Sequence, residues 1–201
     1  MSAAIDVDLD LVAPTTKPVY STAWWGMATL IATESMVFVI LLGAYFFLRA
    51  SAQQWPPGGI PAPELKLTVP FSFVLWGSSA PVFYAEAAIR RGSQRGLRVG
   101  LLVSAVMGAA FLAFTLKDFA DLTFGWRDNA YGSMFYTIVG LHALHVLIGL
   151  CMSVVVQIKA WQGKFSATRH VSVEVFGLYW HFVDVVWVFV FASLFLSEAW
   201  R

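Results

Sequence analysis

A chain of 201 residues that is 59% hydrophobic and only 12% charged is not composed like a soluble domain, which runs near half apolar and about a quarter charged. Its formal net charge of +1 gives no global case for nucleic acid. The single cysteine, Cys151, lies in an apolar run and excludes an intrachain disulfide, a Cys-rich metal site and a covalent haem motif.

The N-terminal stretch holds Asp6, Asp8 and Asp10 and one base, Lys17. A secretory signal starts with a positive region followed directly by an apolar core. Residues 1–21 therefore read as a soluble tail that stays attached, and residues 22–201 as a transmembrane domain. Five apolar runs near the length that crosses a bilayer follow: Trp24–Leu48, Val69–Ile89, Val99–Phe119, Gly132–Ile158 and Val173–Leu196. They lack the period-two alternation of a membrane barrel, so the fold class is all-α, a bundle of five transmembrane helices.

Between the first two runs, Gln53–Pro63 contains Trp55-Pro56-Pro57-Gly58-Gly59 and two further prolines, and reads as an external loop, since proline cannot continue a helix. Pro81 is expected to bend the second helix. On the third, Gly100, Ser104 and Gly108 recur at four-residue spacing, which lets two membrane helices approach closely. Such contacts most simply form within the chain. Trp24, Trp25, Trp126, Trp161 and Trp200 stand near run ends, where interfacial belts form.

Five spans place the termini on opposite sides. With the N-terminus inside, the inner segments carry Lys17, Arg90, Arg91, Arg95, Arg98, Lys159, Lys164 and Arg169, and the outer ones Arg49, Lys66, Lys117, Arg127 and Arg201. The positive-inside bias gives a cytoplasmic N-terminus and an outer C-terminus.

The polar residues within the runs are the informative ones. Glu34 lies ten residues beyond Trp24, roughly 15 Å along the helix axis and near the middle of a ~30 Å core. A carboxylate there must be paired, hydrated or protonated. It serves either as a proton-exchanging site or as a structural acid bonded across helices. His142 and His145, three apart on the fourth helix, could bridge to polar groups, relay protons or ligate a metal or haem. Two histidines on one helix face cannot take opposite sides of a haem, and a metal site needs three or four ligands.

The run Tyr179-Trp180-His181-Phe182-Val183-Asp184-Val185-Val186-Trp187 puts a histidine and an aspartate at membrane depth. Residues three apart share a helix face, so His181 and Asp184 can reach one partner or each other, and Glu174 falls on the same stripe. A polar stripe on a membrane helix faces protein or a water-filled cavity. No phosphate loop, nucleophile elbow or HExxH motif occurs in the chain.

Three stretches resemble subunit III of the haem-copper respiratory oxidases, most closely cytochrome c oxidase subunit III. The run Tyr179–Trp187 is similar to the family's last-helix signature. Gly132-Ser133-Met134-Phe135 followed by Gly140-Leu141-His142-Ala143-Leu144-His145-Val146-Leu147-Ile148-Gly149 resembles the helix before it. Thr33-Glu34-Ser35-Met36-Val37-Phe38 resembles the segment around the family's intramembrane carboxylate.

The resemblance spans roughly residues 22–199. It implies a helical bundle packed on subunit I, with subunit II in the same complex, in a bacterial cytoplasmic membrane. It implies no catalytic residue, metal or redox cofactor in this chain. Haem and copper belong to partner subunits, and phospholipid is bound. The complex reduces oxygen to water with electrons from cytochrome c and pumps protons. The third subunit supports proton uptake and protects the enzyme during turnover.

By position, Glu34, His142, His145, Glu174, His181 and Asp184 match the family's buried polar network, and Lys159 a basic residue near lipid phosphate. Long members have seven helices, so five make this a short form. Two neighbouring roles differ only in the chains around it: subunit III of a quinol oxidase, or an accessory protein of nitric oxide reductase. A stand-alone proton-coupled transporter would be a different class.

Overall fold

The computed structural model describes residues 20–57, 60 and 65–197. The expected tail up to residue 19, and Trp200, lie outside them. Six helices follow in order: α1 (Thr22–Ser51), α2 (Leu65–Gly77), α3 (Ser79–Arg90), α4 (Gln94–Asp121), α5 (Ala130–Trp161) and α6 (Val171–Phe191). The last continues as a π-helical stretch, Ala192–Leu196. Among the described residues, α1, α4, α5 and α6 with its extension are each long and apolar enough to span a membrane. The remaining expected span is α2 and α3 together, so the molecule is an all-α bundle of five membrane passages.

The interruption of the second passage falls at Ser78, not at Pro81. Ser78 keeps helical dihedrals, φ −68° and ψ −18°, and its N–H donates to the carbonyls of Val74 and Leu75 at 3.1 and 2.9 Å. Pro81 thereby comes to lie in the first turn of α3, where a helix has no partner for the N–H in any case. Proline brings no N–H, so the group left without a partner is the Gly77 carbonyl four residues back, and α2 ends at that residue.

Helix α6 lies at the centre. It packs on α1, α5 and α3 at once, while α4 packs on α3, α5 and α2. The most apolar window of α6 is 61% buried within the chain, against 11% for α1. Few residues of α1 reach the interior, Phe38 and Tyr45 among them.

The small residues of α4 explain how α6 fits. A Cβ at position 108 would lie 2.5 Å from the Trp180 ring, and one at Gly149 of α5 2.9 Å from it. The indole slots between two helices that present only hydrogen. At Gly100 a Cβ would meet the Pro81 carbonyl oxygen at 2.5 Å, so the bend of the second passage also rests on α4. The small-residue stripe thus serves packing inside the chain.

Polar ties complete the arrangement. The indole N–H of Trp180 donates to Ser78 Oγ at 2.8 Å, and that of Trp187 to Ser72 Oγ at 2.9 Å. At the far end Trp55 is buried between Tyr45 and Tyr131, with ring centroids 5.6 Å away in both cases. Arg49 at the end of α1 donates to the Ser197 hydroxyl and carbonyl at 2.6 and 3.1 Å. The tight turn between α3 and α4 uses Gly92 at φ +79°, a left-handed conformation that glycine adopts without steric cost.

Overpacking a close-packed core costs typically about 1–3 kcal/mol. Gly108→Leu is therefore expected to displace Trp180 and lower the melting temperature of the detergent-solubilised protein by several degrees. Gly43→Ala, where an added Cβ meets nothing within 4 Å, should leave it within about a degree. A thermal melt followed by size-exclusion chromatography reads both.

Candidate functional site

The six polar residues singled out from the sequence fall into separate clusters, and one of them stands apart from all polar partners. The first cluster ties α1 to α5. Glu34 Oε2 lies 3.3 Å from His145 Nε2, and His145 Nδ1 lies 2.8 Å from the Leu141 carbonyl oxygen. A carbonyl only accepts, so Nδ1 carries a hydrogen. Nε2 then faces a carboxyl oxygen, and a single proton must lie between them: either His145 is an imidazolium beside a carboxylate, or Glu34 keeps the proton and donates to a neutral ring. Both forms have no net charge, which is what a low-dielectric interior tolerates. Tyr179 Oη donates to the His145 carbonyl at 3.2 Å, and the Phe38 ring sits edge-on to the imidazole at 5.2 Å.

The second cluster ties α3 to α6. His181 and Asp184 do share one partner, and it is Ser79. The Ser79 hydroxyl lies 2.8 Å from His181 Nδ1 and donates to Asp184 Oδ2. With its hydrogen committed to Asp184, Ser79 accepts from Nδ1–H of His181. Phe83 covers the imidazole, stacked at 3.9 Å with 17° between planes.

Glu174 is not part of that cluster. It stands at the start of α6 beside Arg90 Nη2 at 3.6 Å and His170 Nε2 at 3.2 Å. Arg90 also lies 3.7 Å from Glu86 on its own helix.

His142 is 1% exposed, and neither ring nitrogen has a hydrogen-bond partner. Its surroundings are aromatic: Trp187 stacks on it at 4.7 Å, with Phe111 and Phe38 edge-on at 6.0 and 6.5 Å. Among the described residues no group of three or more His, Cys, Asp or Glu is disposed to hold a metal ion.

Lys159 stands at the mouth of an open groove of about 520 Å³ between α5, the start of α6 and the first turn of α1. The groove is otherwise lined by apolar side chains such as Leu147, Met152, Val155 and Val175, with Cys151 on its wall.

Sequence reasoning missed Ser79, Glu86, Arg90 and His170 as members of these clusters. Two signals were present. Ser78-Ser79 stands two residues before Pro81 inside an apolar run, and Glu86 stands four residues before Arg90, at the end of that run.

The family described as cytochrome c oxidase subunit III matches residues 6–199. The chain belongs to that family. It is 35% identical to the cytochrome c oxidase subunit 3 of Thermostichus vulcanus over 174 residues, covering 85% of each chain. It is 38% identical to that of Synechocystis sp. over 173 residues, covering 86% of this chain and 74% of the other. The likeness extends to an animal relative, the subunit 3 of Latimeria chalumnae, at 30% over 186 residues and 71% of that protein. The matched region contains each of the clusters described above.

Two substitutions separate the roles of these acids. Glu34→Gln is expected to leave assembly intact, because an amide is nearly isosteric and can donate to His145 Nε2 in place of the shared proton; co-purification of the variant with its complex is the check. Asp184→Leu leaves the Ser79 hydroxyl, which also holds His181, without its acceptor, a loss of about 1–3 kcal/mol. It should lower the yield and melting temperature of the complex, while Asp184→Asn restores most of both.

Proposed function

We propose that the chain is the non-redox third subunit of a respiratory cytochrome c oxidase, packed on subunit I beside subunit II. Membership of the family makes it a multi-pass membrane subunit of an oxidase complex. Haem and copper belong to the partner subunits in this reading, and the complex reduces oxygen to water with electrons from cytochrome c while pumping protons. The observation that carries the role is that the acids at membrane depth are engaged within the chain, Glu34 by His145 and Asp184 by Ser79.

Proton uptake into subunit I and stability during turnover are the services such groups would supply. The shared proton of Glu34 and His145 lies near mid-membrane, where subunit I can exchange it. A phospholipid fits the groove at Lys159: its chains match the apolar walls, and its phosphate matches an ammonium at the membrane edge.

Orientation follows from the same end of the molecule. Ala23 at the start of α1, Lys159 at the end of α5 and Ser172 at the start of α6 line one groove. Arg98 near the start of α4 donates to the Ala160 carbonyl at the end of α5, so the bases of the α3–α4 and α5–α6 turns share an end with the beginning of α1. The positive-inside bias makes that end cytoplasmic, in a bacterial inner membrane.

A mild-detergent pull-down of the chain from its native membrane, with a reduced-minus-oxidised visible spectrum of the eluate, tests the assignment. Co-elution of a large haem-bearing partner with an a-type band is the expected result. A b- or o-type band alone would replace it with a quinol oxidase or nitric oxide reductase role. A lone chain without haem would overturn it in favour of a transporter.

A further inference from the structure

Arg98, one turn into α4, is fixed by α5 through both its main chain and its side chain. The Gln157 side-chain amide donates to the Arg98 carbonyl at 3.1 Å. Arg98 Nε donates to the Ala160 carbonyl at 3.1 Å, and its guanidinium carbon lies 4.8 Å from the centre of the Trp161 ring. One nitrogen and one face of the guanidinium are thereby occupied. Nη1 and Nη2 are left over: among the described residues no acceptor meets them, and they are not enclosed within the fold. The surroundings add positive charge and no free acid. Arg95 is exposed three residues earlier, on the same side of the helix. The acids of α4, Asp118 and Asp121, stand at its other end, and Glu86 and Glu174 are engaged by Arg90. Deeper in the membrane the surface turns apolar. Leu102 is exposed one turn below Arg98, and Ile158 and Val154 are exposed one and two turns below Trp161.

We propose that Arg98 and Trp161 form a binding site for the phosphate of an anionic phospholipid at the seam of α4 and α5. Two unshared oxygens of a phosphodiester match the two free nitrogens of the guanidinium, which present parallel N–H groups. The bond to Ala160 and the stack on Trp161 aim that fork outward before a ligand arrives, so little side-chain freedom is lost on binding. Trp161 stands where an indole prefers to be, at the level of the headgroups. The acyl chains lie on Leu102, Ile158 and Val154. Arg95 adds a second positive charge beside the phosphate. It favours a headgroup of net negative charge over a zwitterionic one, whose own cation it repels. A soluble phosphate would find the same fork but would gain nothing from the apolar wall beneath it.

This position is separate from the groove at Lys159. Residues two apart on a helix do not face each other, so Trp161 points away from Lys159. The walls of the groove come from α5 and the starts of α1 and α6, and no residue of α4 lines it. The two sites also differ in the cation they offer. Lys159 presents an ammonium on a flexible stem beside a concave apolar surface. Arg98 presents a planar fork pinned between two helices above an open seam.

The test uses the purified complex that contains this chain, in mild detergent. It is incubated with phosphatidylglycerol carrying a photoreactive group in one acyl chain, and the adducts are mapped by peptide mass spectrometry. The reporter is the α4 peptide of residues 99–106, because the groove at Lys159 has no wall from α4. Phosphatidylglycerol is expected to label that peptide about fivefold more than phosphatidylcholine with the same chains, the effect of roughly one charge contact at a membrane surface. Arg98→Gln should lower the labelling by phosphatidylglycerol by a similar factor, and Lys159→Gln should leave it unchanged. Equal labelling by the two lipids in the unmodified protein would overturn the proposal, whatever the variants do. So would an Arg98→Gln variant that labels normally, or a Lys159→Gln variant that loses the adduct from α4. Loss of the adduct on adding excess inorganic phosphate at constant ionic strength would assign the fork to a soluble anion and overturn the lipid site.

Discussion

Hydrocarbon offers a hydroxyl, an imidazole or a carboxyl group nothing to bond to, so such groups are steered toward partners on neighbouring helices. The second passage meets that requirement for α6. Ser72, Ser78 and Ser79 lie along its length and take, in turn, the indole of Trp187, the indole of Trp180 and the His181–Asp184 pair. Interhelical hydrogen bonds in membranes average about 0.6 kcal/mol each, so their sum is modest. Their effect on register is larger: sliding α6 along the second passage by one residue would strand several buried polar groups at once. The mild bend at Ser78 is what brings adjacent serines onto neighbouring turns of α6, and Gly108 and Gly149 leave room for the ring that Ser78 holds.

Acid and imidazole meet at two levels of the molecule. At mid-membrane the Glu34–His145 pair is alone with Phe38 and Tyr179, and its constant neutrality is the condition of its burial. At the start of α6 a similar pair has company from Arg90 and Glu86 and lies near water. Similar local geometry therefore serves different ends. In hydrocarbon a proton can shift between partners but the net charge cannot change cheaply. At the boundary a guanidinium and a second carboxyl group join the pair.

The helices were legible because membrane passages are set by length and apolarity, and those are properties of short windows. The observed passages begin two to five residues before the apolar runs that announced them and end up to three residues after them, since helical hydrogen bonding continues into the polar boundary. The partners were less legible. Spacing along α6 showed that His181 and Asp184 could share a partner, but Ser79 is about a hundred residues away in sequence. A lone serine in an apolar run carries no signal of what it will face. Spacing also placed Glu174 on the His181 stripe, and by angle it is there. Two further turns of helix take it to the end of α3, where Arg90 and His170 claim it. His142 shows the opposite failure: a polar residue one turn from His145 that sits among aromatic rings.

Helix α1 shows what its shallow contact with the bundle means for how the molecule is made. It is synthesised before the other described passages, and little of it is buried by the rest of the chain. Its mid-membrane acid is joined to a residue 111 positions later. At about 5–20 residues per second, His145 emerges on the order of ten seconds after Glu34 does. For that interval the carboxyl group lacks the imidazole that it faces in the finished bundle. The contact that ties α1 to α5 therefore forms late, and α1 must wait in the membrane for the fourth passage before its polar face is closed.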